Sequence, residues 1–276
     1  MSRSPALGLV VRSNRRIVPT ITRERTSLRS RSAHDRQDQH RPLASNPIRS
    51  WHTLMTSRAV VFDLDGTLAV PNRDRRTLLA EAIETTDAPP VSRSEYLDAH
   101  GQVVAGETRT PIFERLLTDG DPSPDAVARA YREAVNDALE PVDGVETLLE
   151  DLTDGPGYRI GVLTDGPSLA QRSKLDRLGW TERFDATLVT GELETRKPDP
   201  AAFEAITDRL GVDPERAIYV GDDPERDVAG AAAAGLDAVQ VLHDEGPEPH
   251  PDANAVVERD AFETGLKTVL ASCCQP

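Results

Sequence analysis

The sequence is short of several things, and each shortage narrows what it can be. Aromatic residues make up only 4% of the 276 residues. A core built from this chain must therefore rest on Ala, Val, Leu and Ile. Lysine occurs only at Lys174, Lys197 and Lys267, so any lysine that does chemistry comes from a very small set. The two cysteines, Cys273 and Cys274, are adjacent near the C-terminus. Neighbouring cysteines rarely bridge, and no CxxC spacing exists, so neither a disulfide framework nor a cysteine metal site is expected. A reducing, cytoplasmic setting fits. No apolar run approaches the ~18 residues that a membrane span needs, and the start lacks the apolar stretch of a secretory signal.

Positive charge is scarce overall. The formal net charge is −15, which disfavours nucleic acid as a partner, because a binder must neutralise phosphates with Lys and Arg. A small anion held in one local cationic pocket remains compatible with that balance. The charge is also uneven. Residues 1–57 carry 11 arginines against Glu24, Asp35 and Asp38; the other 219 residues carry 21 basic and 44 acidic groups. Such an acidic, lysine-poor surface resembles proteins of salt-loving microbes. In molar salt the Debye length is only ~3 Å, so its self-repulsion is screened.

Residues 1–54 are Arg- and Ser-rich without helical or strand periodicity, so they cannot bury enough apolar surface to offset chain entropy. An organelle transit peptide has this composition. So does untranslated sequence ahead of a true start at Met55, and the sharp change of composition there favours the second reading. A continuous apolar run, Ala59-Val60-Val61-Phe62, then predicts a strand buried on both faces. Four helices are predicted over about 75–86, 92–105, 110–118 and 124–139. Ser92 and Glu95 form a capping box, and Pro124 suits a first helical position. From residue 142 helices and strands alternate: helices at 143–153, 168–178, 200–210, 224–234 and 260–270, and strands at 158–163, 186–190, 217–220 and 238–242. Alternation of this kind predicts a mainly parallel, doubly wound α/β sandwich of three layers, Rossmann-like. Its core would comprise 55–74 and 140–276. Residues 75–139 are too long for a loop and are expected to form an inserted α-helical cap.

In open α/β sheets, ligands bind beyond the carboxyl ends of the strands. The first strand is followed by Asp63-Leu64-Asp65-Gly66-Thr67, the second by Thr164-Asp165-Gly166, and the strand at 217–220 by Gly221-Asp222-Asp223-Pro224-Glu225-Arg226-Asp227; Lys197 lies in Arg196-Lys197-Pro198. Carboxylates of Asp63, Asp65 and Asp222 brought close together need a cation to stay ionised. A hard divalent ion with oxygen ligands, magnesium above all, meets that need. A metal, a lysine, hydroxyl donors and a carboxylate nucleophile together make a phosphoryl-transfer set.

These four motifs, in order, resemble those of the haloacid dehalogenase superfamily of hydrolases, in its phosphatase branch with a helical cap (the phosphoglycolate phosphatases and nucleotidases). The resemblance covers residues 58–245. It implies a magnesium-dependent phosphatase acting on a small phosphorylated metabolite, as a monomer or homodimer. It makes Asp63 the nucleophile and a metal ligand. Asp65 becomes the acid and base, and also a metal ligand through its backbone carbonyl. Thr164 and Lys197 become phosphoryl holders, and Asp222 a further metal ligand. Asp227 would orient Lys197 or the metal's surroundings, and Asp223 would do similar work or simply cap the next helix. Asp165 and Gly166 depart from the Thr-Asn or Ser-Asn common in that family; both are candidates for substrate contact, as is Arg109 in the cap, where Arg115 is equally a surface charge. The segment Gln171-x-x-Lys174-Leu175-x-x-Leu178-Gly179 resembles a pattern recurring in that branch, and reads equally as an ordinary amphipathic helix. A phosphomutase or phosphotransferase of the same family is the alternative. A dehalogenase fits less well, since it has no need of an acid at Asp65.

Overall fold

The computed structural model describes residues 58–103, 106–155, 157–244 and 246–273. The expectations for residues 1–54, Met55 and Cys274 lie outside these. The first strand, β1 (Arg58–Phe62), is buried along almost its whole length. It sits in the middle of a six-stranded sheet with β4 (Tyr158–Thr164), β5 (Ala186–Val189), β6 (Ala217–Gly221), β7 (Asp237–Leu242) and β8 (Ala255–Glu258), in the order β5-β4-β1-β6-β7-β8. All pairings are parallel. Because strand residues alternate between faces, β1 feeds two cores at once. Val60 and Phe62 pack with Val145, Leu148, Leu149, Phe262 and Leu266. Ala59 and Val61 pack with Ala202, Phe203, Ile206 and Leu210 on the other side. These helical partners come from α5 (Val145–Asp154) and α9 (Phe262–Cys273) on one face and α7 (Pro200–Leu210) on the other. The result is the expected three layers, with helices above and below a parallel sheet. Trp180 adds bulk to the first core, and its indole N–H donates to Glu146 Oε1 at 3.0 Å, so burying it leaves no orphan donor.

The chain leaves the sheet after β1 for α1 (Arg75–Thr85), α2 (Arg93–Gly101), α3 (Thr110–Glu114) and α4 (Pro124–Asp137). Asp74 caps α1, accepting from the N–H groups of Arg76 and Thr77, and Ser92 with Glu95 closes the predicted capping box on α2. The four helices bury their own apolar cluster, including Leu78, Ile83, Tyr96, Phe113, Tyr131 and Val135. Tyr131 stands edge-on to Tyr96, with ring centroids 5.3 Å apart.

Three features depart from the expected elements. A two-stranded antiparallel ribbon, β2 (Ala69–Pro71) with β3 (Leu139–Pro141), brackets the helical insert, so its entry and exit lie side by side. The strand β8 was not expected: it is four residues long and ends in Glu258. The helix expected at 224–234 starts as a wide π-helical turn over Pro224–Ala229 and becomes α-helical only in α8 (Gly230–Ala233). The reason lies at its first turn, where Asp227 is turned inward and buried rather than facing solvent.

Candidate active site

The strand order β4-β1-β6 sets three chain ends next to one another at one edge of the sheet. β1 delivers Asp63, whose own N–H donates to Val220 O in β6 at 2.9 Å. β4 ends on Thr164 and β6 on Gly221, followed by Asp222. The turn after Asp63 is tight. Gly66 N–H donates to Ala69 O at 2.9 Å, and Leu68 N–H donates to Leu64 O at 3.1 Å. Gly66 has φ +93°, and a Cβ there would lie 2.5 Å from Asp222 Oδ2, so backbone angle and space both demand glycine. Next to it the Thr67 hydroxyl donates to Asp222 Oδ1 at 3.0 Å.

Lys197 is the cationic centre of this edge and is almost fully buried. Its Nζ donates to Asp63 Oδ1 at 2.7 Å, to Asp227 Oδ1 at 2.6 Å and to the Tyr219 hydroxyl at 3.0 Å. The Tyr219 hydroxyl in turn donates to Leu163 O at 2.9 Å. The second oxygen of Asp227 accepts from Asp223 N–H at 3.0 Å. Gly221 is required for this packing, since a Cβ there would meet the Asp227 carboxylate at 2.5 Å. The carboxylates of Asp63, Asp222 and Asp227 each present an oxygen within 4.8 Å of the others. One lysine cannot neutralise three such groups. Burial, reinforced by the charges of Asp227 and Asp222 and only partly offset by Lys197, pushes the Asp63 carboxyl up to about 8. Burial and then Asp227 raise Asp222 to about 6. Burial would lower Lys197, but Asp227 and Asp63 hold it well above the ordinary lysine range. A cluster of hard oxygen donors short of positive charge is the donor set that suits a divalent cation.

Asp65 is not part of that cluster. The three carboxylates that converge are Asp63, Asp222 and Asp227, in place of the expected Asp63, Asp65 and Asp222. The physical reason is competition from cations on the other side. Asp65 Oδ1 accepts from Arg75 Nη2 at 2.9 Å, while Oδ2 accepts from Gln171 Nε2 at 2.9 Å and is in contact with the Lys174 ammonium. Burial alone would raise the Asp65 carboxyl, but Lys174 and Arg75 more than offset it and hold the group far below the usual carboxylate range. Burial lowers Lys174 to about 8 despite its carboxylate neighbour, with Arg75 and Arg109 acting in the same direction.

Thr164 is buried, and its hydroxyl oxygen accepts from Gln171 Nε2 at 2.6 Å. Asp165 Oδ1 accepts the Lys197 backbone N–H at 3.2 Å, so the acid that stands where the related family often has an amide anchors the lysine loop. Asp223 caps the π turn, accepting from Glu225 and Arg226 N–H groups, and pairs with Arg226 at 2.8 Å; it does not join the carboxylate cluster. A cavity of about 340 Å³ opens between the helical insert and the sheet edge, lined by His100 and Thr108 from the insert and by Asp165, Gly166, Arg196, Lys197 and Arg226 from the core. Arg109 begins α3 and lies over the Tyr131 ring, 5.6 Å from its centroid, rather than in the cavity wall. Arg115 donates to Gln102 within the insert at 3.4 Å. Leu-Thr-Asp-Gly occurs three times in the chain, and only 163–166 reaches the site; 117–120 follows α3 as a turn and 152–155 ends α5.

Tyr219 and Arg75 belong to the site and were not anticipated. Tyr219 reads in sequence as one more apolar strand residue, and Arg75 as the first residue of a surface helix. Gln171 and Lys174 had a signal, their recurring pattern, and both side chains are buried beside Asp65.

Comparison with known proteins agrees with this geometry. Residues 57–235 match the model of the haloacid dehalogenase-like hydrolase family. The chain is 33% identical over 195 residues to the glyceraldehyde 3-phosphate phosphatase of Methanopyrus kandleri, covering 67% of this chain and 83% of that one. It is 33% identical over 223 residues to the ribulose-1,5-bisphosphate 5-phosphatase of Halopiger xanaduensis, covering 74% and 91% respectively. Among solved structures, a phosphatase of the same superfamily from Thermococcus onnurineus superposes with a TM-score of 0.58 at 26% identity, covering 77% of this chain and 97% of that one. With its six parallel strands, its strand-end carboxylates and a family match over most of its length, the chain belongs to the haloacid dehalogenase-like hydrolases.

Proposed function

We propose that the protein is a magnesium-dependent phosphatase that hydrolyses a small phosphate monoester through an aspartyl-phosphate on Asp63. The observation that carries this reading is the Asp63 carboxylate itself. One oxygen is fixed by Lys197 Nζ at 2.7 Å, and the other accepts no hydrogen bond among the described residues. That second oxygen is the nucleophile: it attacks phosphorus, and the bond from phosphorus to the substrate's alcohol oxygen breaks. Lys197 and the Thr164 hydroxyl stabilise the phosphoryl oxygens as charge shifts onto them. Water then attacks phosphorus, the bond to Asp63 breaks, and inorganic phosphate leaves. Asp65, held ionised by Lys174 and Arg75, is in the form that accepts the proton of the attacking water. To serve the departing alcohol it must first take up a proton. A magnesium ion bound by Asp63 and Asp222, with Asp227 shared between the ion and Lys197, would supply the missing positive charge.

The cavity favours a substrate with a second negative group. Its wall holds Arg196 and Arg226 in a chain that is otherwise strongly acidic, and the Arg196 side chain has no partner among the described residues. A phosphate ester carrying a carboxylate or a second phosphate would meet Arg196, with Arg226, already paired to Asp223, beside it. The phosphomutase alternative shares every residue named here and differs in the fate of the phosphoryl group. The test is phosphate release across a panel of small phosphate esters, with and without magnesium. Magnesium-dependent release, fastest for doubly anionic esters, is expected. Transfer to an acceptor without free phosphate would establish the mutase, and no turnover of any ester would end the phosphatase reading.

A further inference from the structure

Outside the residues that touch phosphorus or its metal, α6 (Ser168–Arg177) sends two buried polar side chains into the site, one turn apart: Gln171 and Lys174, each 1% exposed. A buried ammonium is costly unless paired, and Lys174 has two partners, the Asp65 carboxylate and Gln171 Oε1, the latter at 2.6 Å. An ammonium has only hydrogens to offer, so the amide atom facing it must be the oxygen. The amide nitrogen is then forced to the opposite side, where it donates to Thr164 Oγ1 at 2.6 Å and to Asp65 Oδ2 at 2.9 Å. A carboxylate can only accept, so Asp65 Oδ2, the oxygen that the Lys174 ammonium also holds, favours the same orientation. The consequence falls on Thr164. Its oxygen already receives a hydrogen from Gln171, and its own hydroxyl hydrogen has no acceptor among the described residues. That hydrogen is left to point at whatever occupies the site. Space for the Gln171 side chain comes from Gly166: a Cβ there would come within 3.3 Å of Gln171 Cγ and Cδ.

We propose that Lys174 and Gln171 are positioning residues, Lys174 locking the Gln171 amide in the one orientation that presents the Thr164 hydroxyl as a hydrogen-bond donor to the transferring phosphoryl group. The proposal rests on the reading that Thr164 holds phosphoryl oxygens. Without Lys174 the amide can rotate and offer its oxygen to Thr164, whose hydrogen then turns inward and is lost to the substrate.

Orthovanadate inhibition in magnesium buffer provides the test, because vanadate imitates the transferring phosphoryl group. It is measured for the wild type, Gln171→Leu, Lys174→Met and Lys174→Arg, each with Thr164 intact and with Thr164→Val, alongside melting temperatures. With Thr164 intact, Gln171→Leu and Lys174→Met should each weaken vanadate at least tenfold, and Lys174→Arg should retain most of the affinity. In the Thr164→Val background the same changes should cost less than twofold. Equal losses in both backgrounds, or none in either, overturn the proposal, because the two residues would then act on stability or charge alone. Should Lys174→Met fail to fold, Gln171→Leu decides the matter by the same comparison. If Thr164→Val alone leaves vanadate binding unchanged, the phosphoryl-holding role of Thr164 falls, and the proposal with it; a loss confined to Thr164→Val, with the two α6 variants binding as the wild type does, removes only the proposal.

Discussion

Replacing Asp63 by asparagine should inactivate the protein and, without metal, stabilise it. The carboxyl sits near 4 in an unfolded chain and is raised to about 8 in the fold, chiefly by burial. At pH 7 that displacement is worth about 4 kcal/mol against the folded state. Asparagine removes this cost but puts an amide N–H2 where the second carboxyl oxygen was, and a buried donor left without an acceptor costs about 1–3 kcal/mol. The net gain is then about 1–3 kcal/mol, or roughly 2–10 °C in melting temperature for a fold of this size. The pH window follows from the sign of the shift. The folded carboxyl binds its proton more tightly than the unfolded one, so the wild type loses stability through Asp63 as pH rises from about 4 to about 8, and the asparagine variant lacks that contribution. The gap between the two should therefore open across that window and stay constant above it. Added magnesium should close it again by binding the folded wild type. Thermal melts in excess chelator at pH 5, 7 and 9 measure all of this. If the asparagine variant melts at or below the wild type at pH 9, the picture of an under-neutralised carboxylate cluster is wrong.

Two further outcomes follow from the same cluster and its neighbour. Chelation should abolish turnover and magnesium restore it, and the magnesium concentration needed should rise severalfold between pH 8 and pH 6, because the ion must displace the proton that Asp63 holds below about 8; metal titrations of initial rate check this, and a requirement independent of pH would count against it. Asp65→Asn should slow aspartyl-phosphate formation ~10²–10⁴-fold with an alkyl phosphate and far less with an aryl phosphate whose leaving group needs no proton. Dephosphorylation should suffer with both, so rapid-quench traces should show phospho-enzyme accumulating with the aryl ester. Equal slowing of phosphorylation for both esters would confine Asp65 to holding the local structure.

The sequence made the sheet readable because its strands are buried on both faces. Ala59-Val60-Val61-Phe62 announces itself as a continuous apolar run, and the strand-end motifs follow directly from that placement. The ribbon of β2 and β3 stayed hidden because segments of three residues carry no measurable period, and β8 because it follows β7 without the intervening helix that marked the other strands. The convergence of Asp63 with Asp222 was readable from strand-end logic alone. Asp65 was harder. Its two-residue spacing from Asp63 suggests a shared face, but Asp65 lies past the strand, in a turn bent by Gly66, and the cations of α1 and α6 capture it. Asp227, four residues beyond the capping Asp223, was expected beside Lys197 through the family resemblance alone; local pattern puts it on a helix surface, and the π turn is what brings it inward. Tyr219 reaches Lys197 only through the parallel register of β6 against β1, which no local pattern encodes.

The central claim is covalent phosphoryl transfer to Asp63, and trapping the intermediate tests it most directly. An isotopically labelled phosphate ester is mixed with enzyme and magnesium, quenched in acid within milliseconds, and the protein is digested and mapped by mass spectrometry. The account predicts up to one phosphoryl group per chain, on the peptide containing Asp63, labile to hydroxylamine and absent from Asp63→Asn. Phosphate release at the full rate with no label on that peptide, or an asparagine variant retaining more than about a tenth of the wild-type rate, equivalent to about 1.4 kcal/mol of barrier, would contradict it.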